Sequence, residues 1–254
     1  MKDEPVKDSI ARIAGKLAGP GRHIVFTGAG ISTESGISDY RSKGGIWDRF
    51  KPIYFDEFMH SKDARIEYWR RKIDLYRELL GARPNIAHRL LAVLHDSGYV
   101  DTVITQNIDG LHQEAGFPDE KVIELHGNTR RIRCMSCGME YPLDETLKRI
   151  KDGEPAPECR CGGYLKPDTI SFGQSLPPNL LEQAFELSRT SDVFIVIGST
   201  LVVSPASRMP DEALKNGAFL AIINLSETPY DDRCHVLIRN KAGRVLQQIT
   251  KSCE

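Results

Sequence analysis

The sequence predicts an α/β fold: a doubly wound parallel, Rossmann-like sheet with a smaller domain made of a zinc ribbon and a helical insertion. Three observations predict it. Short apolar, β-rich runs alternate with helical patterns along the chain, as parallel strands covered on both faces require. A Gly-x-Gly turn directly follows the first such run. Four of the six cysteines fall in one segment, 129–168, that breaks the alternation.

The elements follow in order. Val6, Ile10, Ile13 and Leu17 recur at helical spacing and predict an amphipathic first helix. Strands are expected at 23–28, 99–105, 121–125, 192–198, 218–224 and 235–238. A helix over 85–98 opens on Asn85 as N-cap and closes on Gly98, and another covers 179–191. Residues 34–82 begin as a polar loop and end as a helix over 64–81. They and 129–168 read as insertions into a sheet domain made of 1–33, 83–128 and 169–254.

Composition narrows the function. The chain has 254 residues, with 34 basic against 35 acidic side chains. That balance gives no general attraction to nucleic acid or acidic membranes. No apolar run approaches the ~20 residues a bilayer span needs. The N-terminal stretch carries acids and lacks an apolar signal core, so the expected location is cytoplasmic. In that compartment cysteines serve as metal ligands or free thiols rather than disulfides.

"VFTGAGIS" places Gly28 and Gly30 directly after a strand. If a helix follows, its free N–H groups favour phosphate, the basis of dinucleotide binding in such sheets. A structural turn explains the same pattern equally well. Asp39 and Arg41 further on suit a ribose or phosphate, or simply a solvated loop.

Cys134 and Cys137 form a C-x-x-C, and Cys159 and Cys161 a tighter C-x-C. Gly138, Gly162 and Gly163 suit the turns of zinc knuckles. Four thiolates make a closed, structural zinc site, and metal binding then supplies folding energy to a module with little apolar core. A redox pair or free thiols are the alternatives. Cys234 and Cys253 have no partner pattern. Arg130, Arg131 and Arg133 flank the first knuckle without interleaved aromatic residues, so a solvated face is favoured over nucleic-acid contact.

"GAGIS", "SGISDYR", "TQNIDGLH", "ELHGN", the cysteine quartet, "KPDTISFG", "GSTLVVSPA" and "IINLSETPYDD" occur in one order over roughly residues 10 to 247. Together they resemble the sirtuins, NAD-dependent protein deacylases, and most closely microbial members. The resemblance implies a sheet domain that binds NAD. NAD is a consumed co-substrate: nicotinamide leaves, the acyl oxygen of an acylated lysine attacks the vacated ribose carbon, and water later releases lysine and an O-acyl-ADP-ribose. Acylated-lysine proteins or peptides are the implied partners, with no membrane and no direct nucleic acid.

The same resemblance implies the residue roles. His126 is the general base on a ribose hydroxyl, a task suited to an ordinary pKa of about 6.5. Asn107 holds the nicotinamide ribose, Gln106 orients ribose hydroxyls, Asp109 accepts from the carboxamide and Ile108 presses on the ring. Gly28, Ala29, Gly30 and Ser32 cradle the pyrophosphate. Asp39, Tyr40 and Arg41 belong to a loop that closes over NAD. There Ser38 stands in place of the usual proline, and Tyr40 in place of phenylalanine. Gly198, Ser199, Thr200, Asn224 and Leu225 line the adenine ribose, and Ala242 touches adenine. His112 is expected to be structural.

"SFGQ" and "VVSP" are expected to flank the substrate peptide as strand edges, with Phe172, Gly173, Val202, Val203 and Ser204 as contacts. An apolar tunnel there favours neutral acyl-lysine over a charged ammonium. Tyr68 and Arg71 match a Tyr-x-x-Arg pair that selects acidic acyl groups in some relatives. The longer helix before "RPN" makes packing or surface the favoured reading. Two other functions stay open: transfer of ADP-ribose to a protein side chain, and a nucleotide-sensing module without turnover.

Overall fold

A computed structural model describes residues 5–38 and 51–253. Six parallel strands form the main sheet: β1 (His23–Thr27), β2 (Thr102–Thr105), β3 (Val122–Glu124), β7 (Val193–Ile197), β8 (Phe219–Ile223) and β9 (Val236–Ile238), in the order β3-β2-β1-β7-β8-β9. The remaining strands, β4 (Gly127–Cys134), β5 (Glu140–Pro142) and β6 (Leu165–Thr169), form a small antiparallel sheet in the order β5-β4-β6. The fold class is the expected one.

Alternation along the main strands sends side chains to two cores. Val25, Val193, Ile195 and Ile197 face one core, packed under α1 (Val6–Leu17), α4 (Ile86–Asp96) and α9 (Ala242–Cys253). Ile24, Phe26, Phe194 and Val196 face the other, under α7 (Pro178–Arg189) and α8 (Met209–Lys215). Both faces are dry, which is why these strands read as unbroken apolar runs. The chain reverses its winding between β1 and β7, and that switch point opens a crevice at the carboxyl ends of the strands.

A third core joins the two inserted segments. Phe58 from α2 (Phe55–His60) and Tyr68, Trp69 and Tyr76 from α3 (Lys62–Leu79) pack against Ile132 and Leu165 of the small sheet. Trp69 Nε1 donates to the Leu165 carbonyl at 3.1 Å, and the Tyr76 hydroxyl to that of Thr129 at 2.8 Å. These bonds satisfy buried polar ends that would otherwise be costly. No helix among the described residues is long and apolar enough to cross a membrane.

The structure corrects several local expectations. Val6 begins α1 but is 46% exposed, while Ile10, Ile13 and Leu17 are buried. The strand expected at 99–105 is only 102–105, because the Asp101 carboxylate takes the His23 N–H at 2.6 Å and ends the ladder. The glycine loop is followed by two 3-10 turns, 29–31 and 33–35, instead of a full helix. Gly36 stops them in the left-handed region at φ 83°. Residues 143–151 form a helix, α6, that carries Leu147 and Ile150 onto the third core. The Asn85 cap is present, its side chain accepting from the Ala87 N–H at 2.8 Å.

Candidate active site

The floor of the crevice is a contact between two loops. Gly28 donates its N–H to Ile197 O at 3.1 Å, and Gly30 to Gly198 O at 2.8 Å. A Cβ on Gly30 would sit 2.8 Å from Gly198 Cα, and one on Gly198, at φ +65°, would sit 2.3 Å from Ile31 N. Glycine is needed here so that backbone can lie on backbone. Because these N–H groups are spent, along with those of Ile31 and Ser32, only Ala29 of residues 28–32 keeps an N–H without a partner among the described residues.

Above this floor lies a cleft of about 840 Å³, within the usual range for ligand pockets. The polar end of β2 enters it. Gln106 Oε1 accepts from Ser199 Oγ at 2.8 Å, and that oxygen accepts from Leu201 N at 3.2 Å, tying the two loops together. Asn107 is held by its backbone N–H on Thr105 Oγ1 and by Nδ2 on Gly28 O and Ser32 Oγ. Those bonds leave Asn107 Oδ1 for a ligand.

His126 stands on the cleft wall. Its Nδ1 lies 2.9 Å from the Gln106 carbonyl oxygen. A carbonyl only accepts, so Nδ1 carries the proton and Nε2 keeps a bare lone pair. Burial lowers the His126 pKa below its ordinary value, and the Gln106 contact partly offsets that. The ring is a neutral base.

Asp109 and Ser32 lie behind the wall, not on it. Both are buried, and Ser32 Oγ donates to Asp109 Oδ2 at 2.7 Å. The Asp109 Oδ1 accepts from Leu111 N, capping the short helix α5 (Leu111–Glu114). His88 accepts the Asn85 N–H at Nδ1, so its Nε2 carries the proton toward Ser32 Oγ, 3.4 Å away. His112 meets Thr27 Oγ1 at 3.0 Å, which in turn donates to Thr105 Oγ1. Burial lowers the His88 pKa to about 4 and that of His112 well below normal. The two rings are 5.0 Å apart and form a neutral backing to the polar cluster.

Gly28, Ala29, Gly30, Ile108, Gly198, Ser199, Thr200, Asn224, Leu225 and Ala242 all line the cleft, as do Phe172, Gly173, Val202, Val203 and Ser204. Phe172 and Val202 are half exposed at its mouth. Asp39, Tyr40 and Arg41 lie outside the described residues. Tyr68 and Arg71 line the cleft as well, although Arg71 is held by Glu67 at 2.6 Å. Glu34 and Lys72, which no motif marks, also line it. Glu34 accepts the Gly243 N–H at 3.1 Å and so anchors the start of α9 beside Ala242.

The four cysteines meet at one point. Their sulfurs all lie within 4.8 Å of one another, with Cys134–Cys161 and Cys137–Cys159 both at 3.6 Å. A zinc tetrahedron with Zn–S of about 2.3 Å has edges of about 3.8 Å, so the donor set fits that ion. The Cys159 thiol is lowered to about 6, first by the Cys161 backbone N–H and then by the Tyr141 hydroxyl. The neighbouring arginines are engaged: Arg130 with Glu114, Arg131 with Glu124, Arg133 with Glu140.

This arrangement has close relatives. The chain is 48% identical over 242 residues to NAD-dependent protein deacetylase 1 of Bradyrhizobium diazoefficiens, covering 95% of each chain. It is 44% identical to the NAD-dependent protein deacetylase of Rhodopseudomonas palustris, covering 95% of this chain and 96% of that one. A solved complex of Sir2 with p53 peptide and NAD+ superposes at a TM-score of 0.84 and 34% identity, over 94% and 96% of the two chains. Sir2 bound to acetylated peptide superposes at 0.85 and 34%, over 95% and 97%. The Sir2 family model matches residues 28–205. With its switch-point cleft, neutral cleft histidine and cysteine quartet, the chain belongs to the Sir2 family, the sirtuins.

Proposed function

We propose that this cleft removes acetyl or other acyl groups from protein lysine side chains, with NAD as the consumed co-substrate. The single observation that carries the reading is the bare Nε2 of His126 on the wall of a cleft that also holds Asn107. Family membership and relatives named NAD-dependent protein deacetylases support it.

Bound NAD supplies a glycosidic bond whose cleavage expels nicotinamide and offers the ribose carbon to the acyl oxygen. The chain's residues arrange that event. Asn107 Oδ1 accepts from a ribose hydroxyl, and Gln106, fixed by Ser199, orients the same sugar. Asp109 receives the carboxamide from behind the wall, displacing or sharing its Ser32 bond. Ile108 presses on the ring. His126 Nε2 takes the proton of a ribose hydroxyl, so that oxygen can act on the acyl carbon. Ala29 N–H serves the pyrophosphate, and Thr200, Asn224, Leu225 and Ala242 bound the adenosine end. Phe172, Gly173, Val202, Val203 and Ser204 bound the acylated lysine, whose neutral side chain is cheaper to bury than an ammonium. Cys134, Cys137, Cys159 and Cys161 hold zinc, which supplies structure to the small sheet and no step of the chemistry.

We assign the sheet domain to 1–33, 83–128 and 169–254, and its insertions to 34–82 and 129–168. A cytoplasmic location suits a quartet that must stay reduced to bind metal.

Incubating the chain with an acetylated peptide and NAD tests the reading. Nicotinamide, free lysine peptide and acetyl-ADP-ribose should appear in equal amounts, and His126→Ala should cut formation of the last two by about 10²–10⁴-fold. A gain of ADP-ribose mass on protein with the acetyl group retained would overturn it in favour of ADP-ribosyl transfer.

A further inference from the structure

Two exposed aromatic side chains meet at the mouth of the cleft. Tyr54, which precedes α2, is 51% exposed, and Phe172 is 45% exposed. Their ring centres are 6.0 Å apart, with the planes tilted by 49°. The backbone holds the pair in place: Phe55 N–H donates to the Phe172 carbonyl at 2.9 Å, and Tyr54 N–H to Glu57 Oε2 at 2.8 Å. Gly173 lies under the edge of the Tyr54 ring and puts no side chain over it; a Cβ there would stand 3.5 Å from Tyr54 Cδ1. Ile53, one residue before Tyr54, lines the cleft itself. Adjacent exposed rings on a cleft rim are apolar surface that a partner can bury.

The turn that carries Phe172 has spent much of its backbone. Ser171 N–H donates to Gln174 Oε1 at 3.1 Å, and the Ser171 carbonyl accepts from Gln174 N at 3.0 Å. The Phe172 carbonyl is engaged by Phe55. A peptide strand laid along 171–174 therefore finds fewer ladder bonds than a free sheet edge offers, and side-chain contacts weigh more in its selection.

We propose that Tyr54, together with Phe172, forms a subsite for an aromatic or large aliphatic substrate side chain near the acylated lysine. This rests on the proposed function, which sets the acylated lysine against Phe172 and Gly173. In an extended peptide, residues two away from the lysine share its face, so they meet the rim while the lysine enters the cleft. Burying apolar surface outweighs ring–cation attraction at an exposed site, which favours Phe or Leu over Arg at that position.

The test measures binding of fluorescein-labelled acetyl-lysine peptides to full-length, zinc-loaded protein by anisotropy, which needs no turnover. The peptide background is Gly and Ser, and Phe, Leu, Arg or Asp is placed in turn at each position flanking the lysine. Phe or Leu two residues to one side should bind about ten-fold tighter than Gly, as a partly buried large apolar side chain provides. Tyr54→Ser should abolish that advantage and Tyr54→Phe should keep it. A folding defect would weaken the Phe and Gly peptides together and leave their ratio intact, so an unchanged ratio in Tyr54→Ser overturns the subsite. A larger gain from Arg than from Phe also overturns it. Binding of acetylated peptides with no positional preference would sink the subsite and leave the proposed function standing; no binding of any acetylated peptide would sink both.

Discussion

His126 turns Nδ1 onto the Gln106 carbonyl oxygen at 2.9 Å, and that contact decides which ring nitrogen can act as a base. Gln106 is itself clamped by Ser199, so the imidazole is oriented by the loop that ends β7 as well as by its own strand.

The acid limb of turnover should reflect His126. Its folded pKa lies below the ordinary value because of burial, so the base stays neutral to lower pH than a free imidazole. Formation of free lysine peptide should hold through about pH 6.5 and fall only at lower pH, with a limb centred below that of a free imidazole. His126→Ala should cost about 10²–10⁴-fold where the base is neutral, and progressively less down the acid limb. A limb centred above pH 7 would contradict this assignment.

Ser32 should matter to chemistry although it does not touch the cleft. Its hydroxyl donates to Asp109 and accepts from Asn107 Nδ2. Ser32→Ala leaves buried partners unsatisfied, costing about 1–3 kcal/mol. Nicotinamide release should also fall about ten-fold, the effect of mispositioned Asn107 and Asp109 raising the barrier by about 1.4 kcal/mol. Unchanged release in a folded variant would remove Ser32 from this cluster.

Acid should destabilise the fold through His88 and His112. Both are lowered by burial, His88 to about 4. Between pH 6.5 and 4 the unfolded chain binds protons that the native rings refuse, so stability drops as pH falls. Each pKa unit is worth about 1.4 kcal/mol, or on the order of 3 kcal/mol for His88. Urea midpoints at pH 7 and 4.5 measure the loss, and His88→Gln should shrink the difference.

Removing metal should act locally. The third core is small, and Cys134 and Cys159 belong to it. A chelator should raise amide exchange across β4, β5 and β6 while leaving the six-stranded sheet protected. Full activity with zinc confirmed absent would refute a structural role.

Gly198→Ala probes the floor. The added Cβ would meet Ile31 N at 2.3 Å in a left-handed backbone, a strain of about 1–3 kcal/mol. Thermal midpoint and NAD affinity should both decline, since the two glycine loops must separate.

The sequence by itself determined the sheet, the cap at Asn85, the cysteine quartet and the residues carried at strand ends. Each is a local signal. A strand buried on both faces reads as an unbroken apolar run, and a metal site on two tight turns reads as spacing. Tertiary structure alone decided the rest, because the rest depends on neighbours distant in the chain. Gly28 and Gly30 are small on account of Gly198, not merely for a ligand. Ser32 and Asp109 stand behind the wall because His88 and Asn107 meet them there. Glu34 reaches α9, and Lys72 is half-buried where α3 lines the cleft beside Tyr68. Desolvation and hydrogen-bond partnership belong to a packed volume, and no periodicity along the chain encodes them.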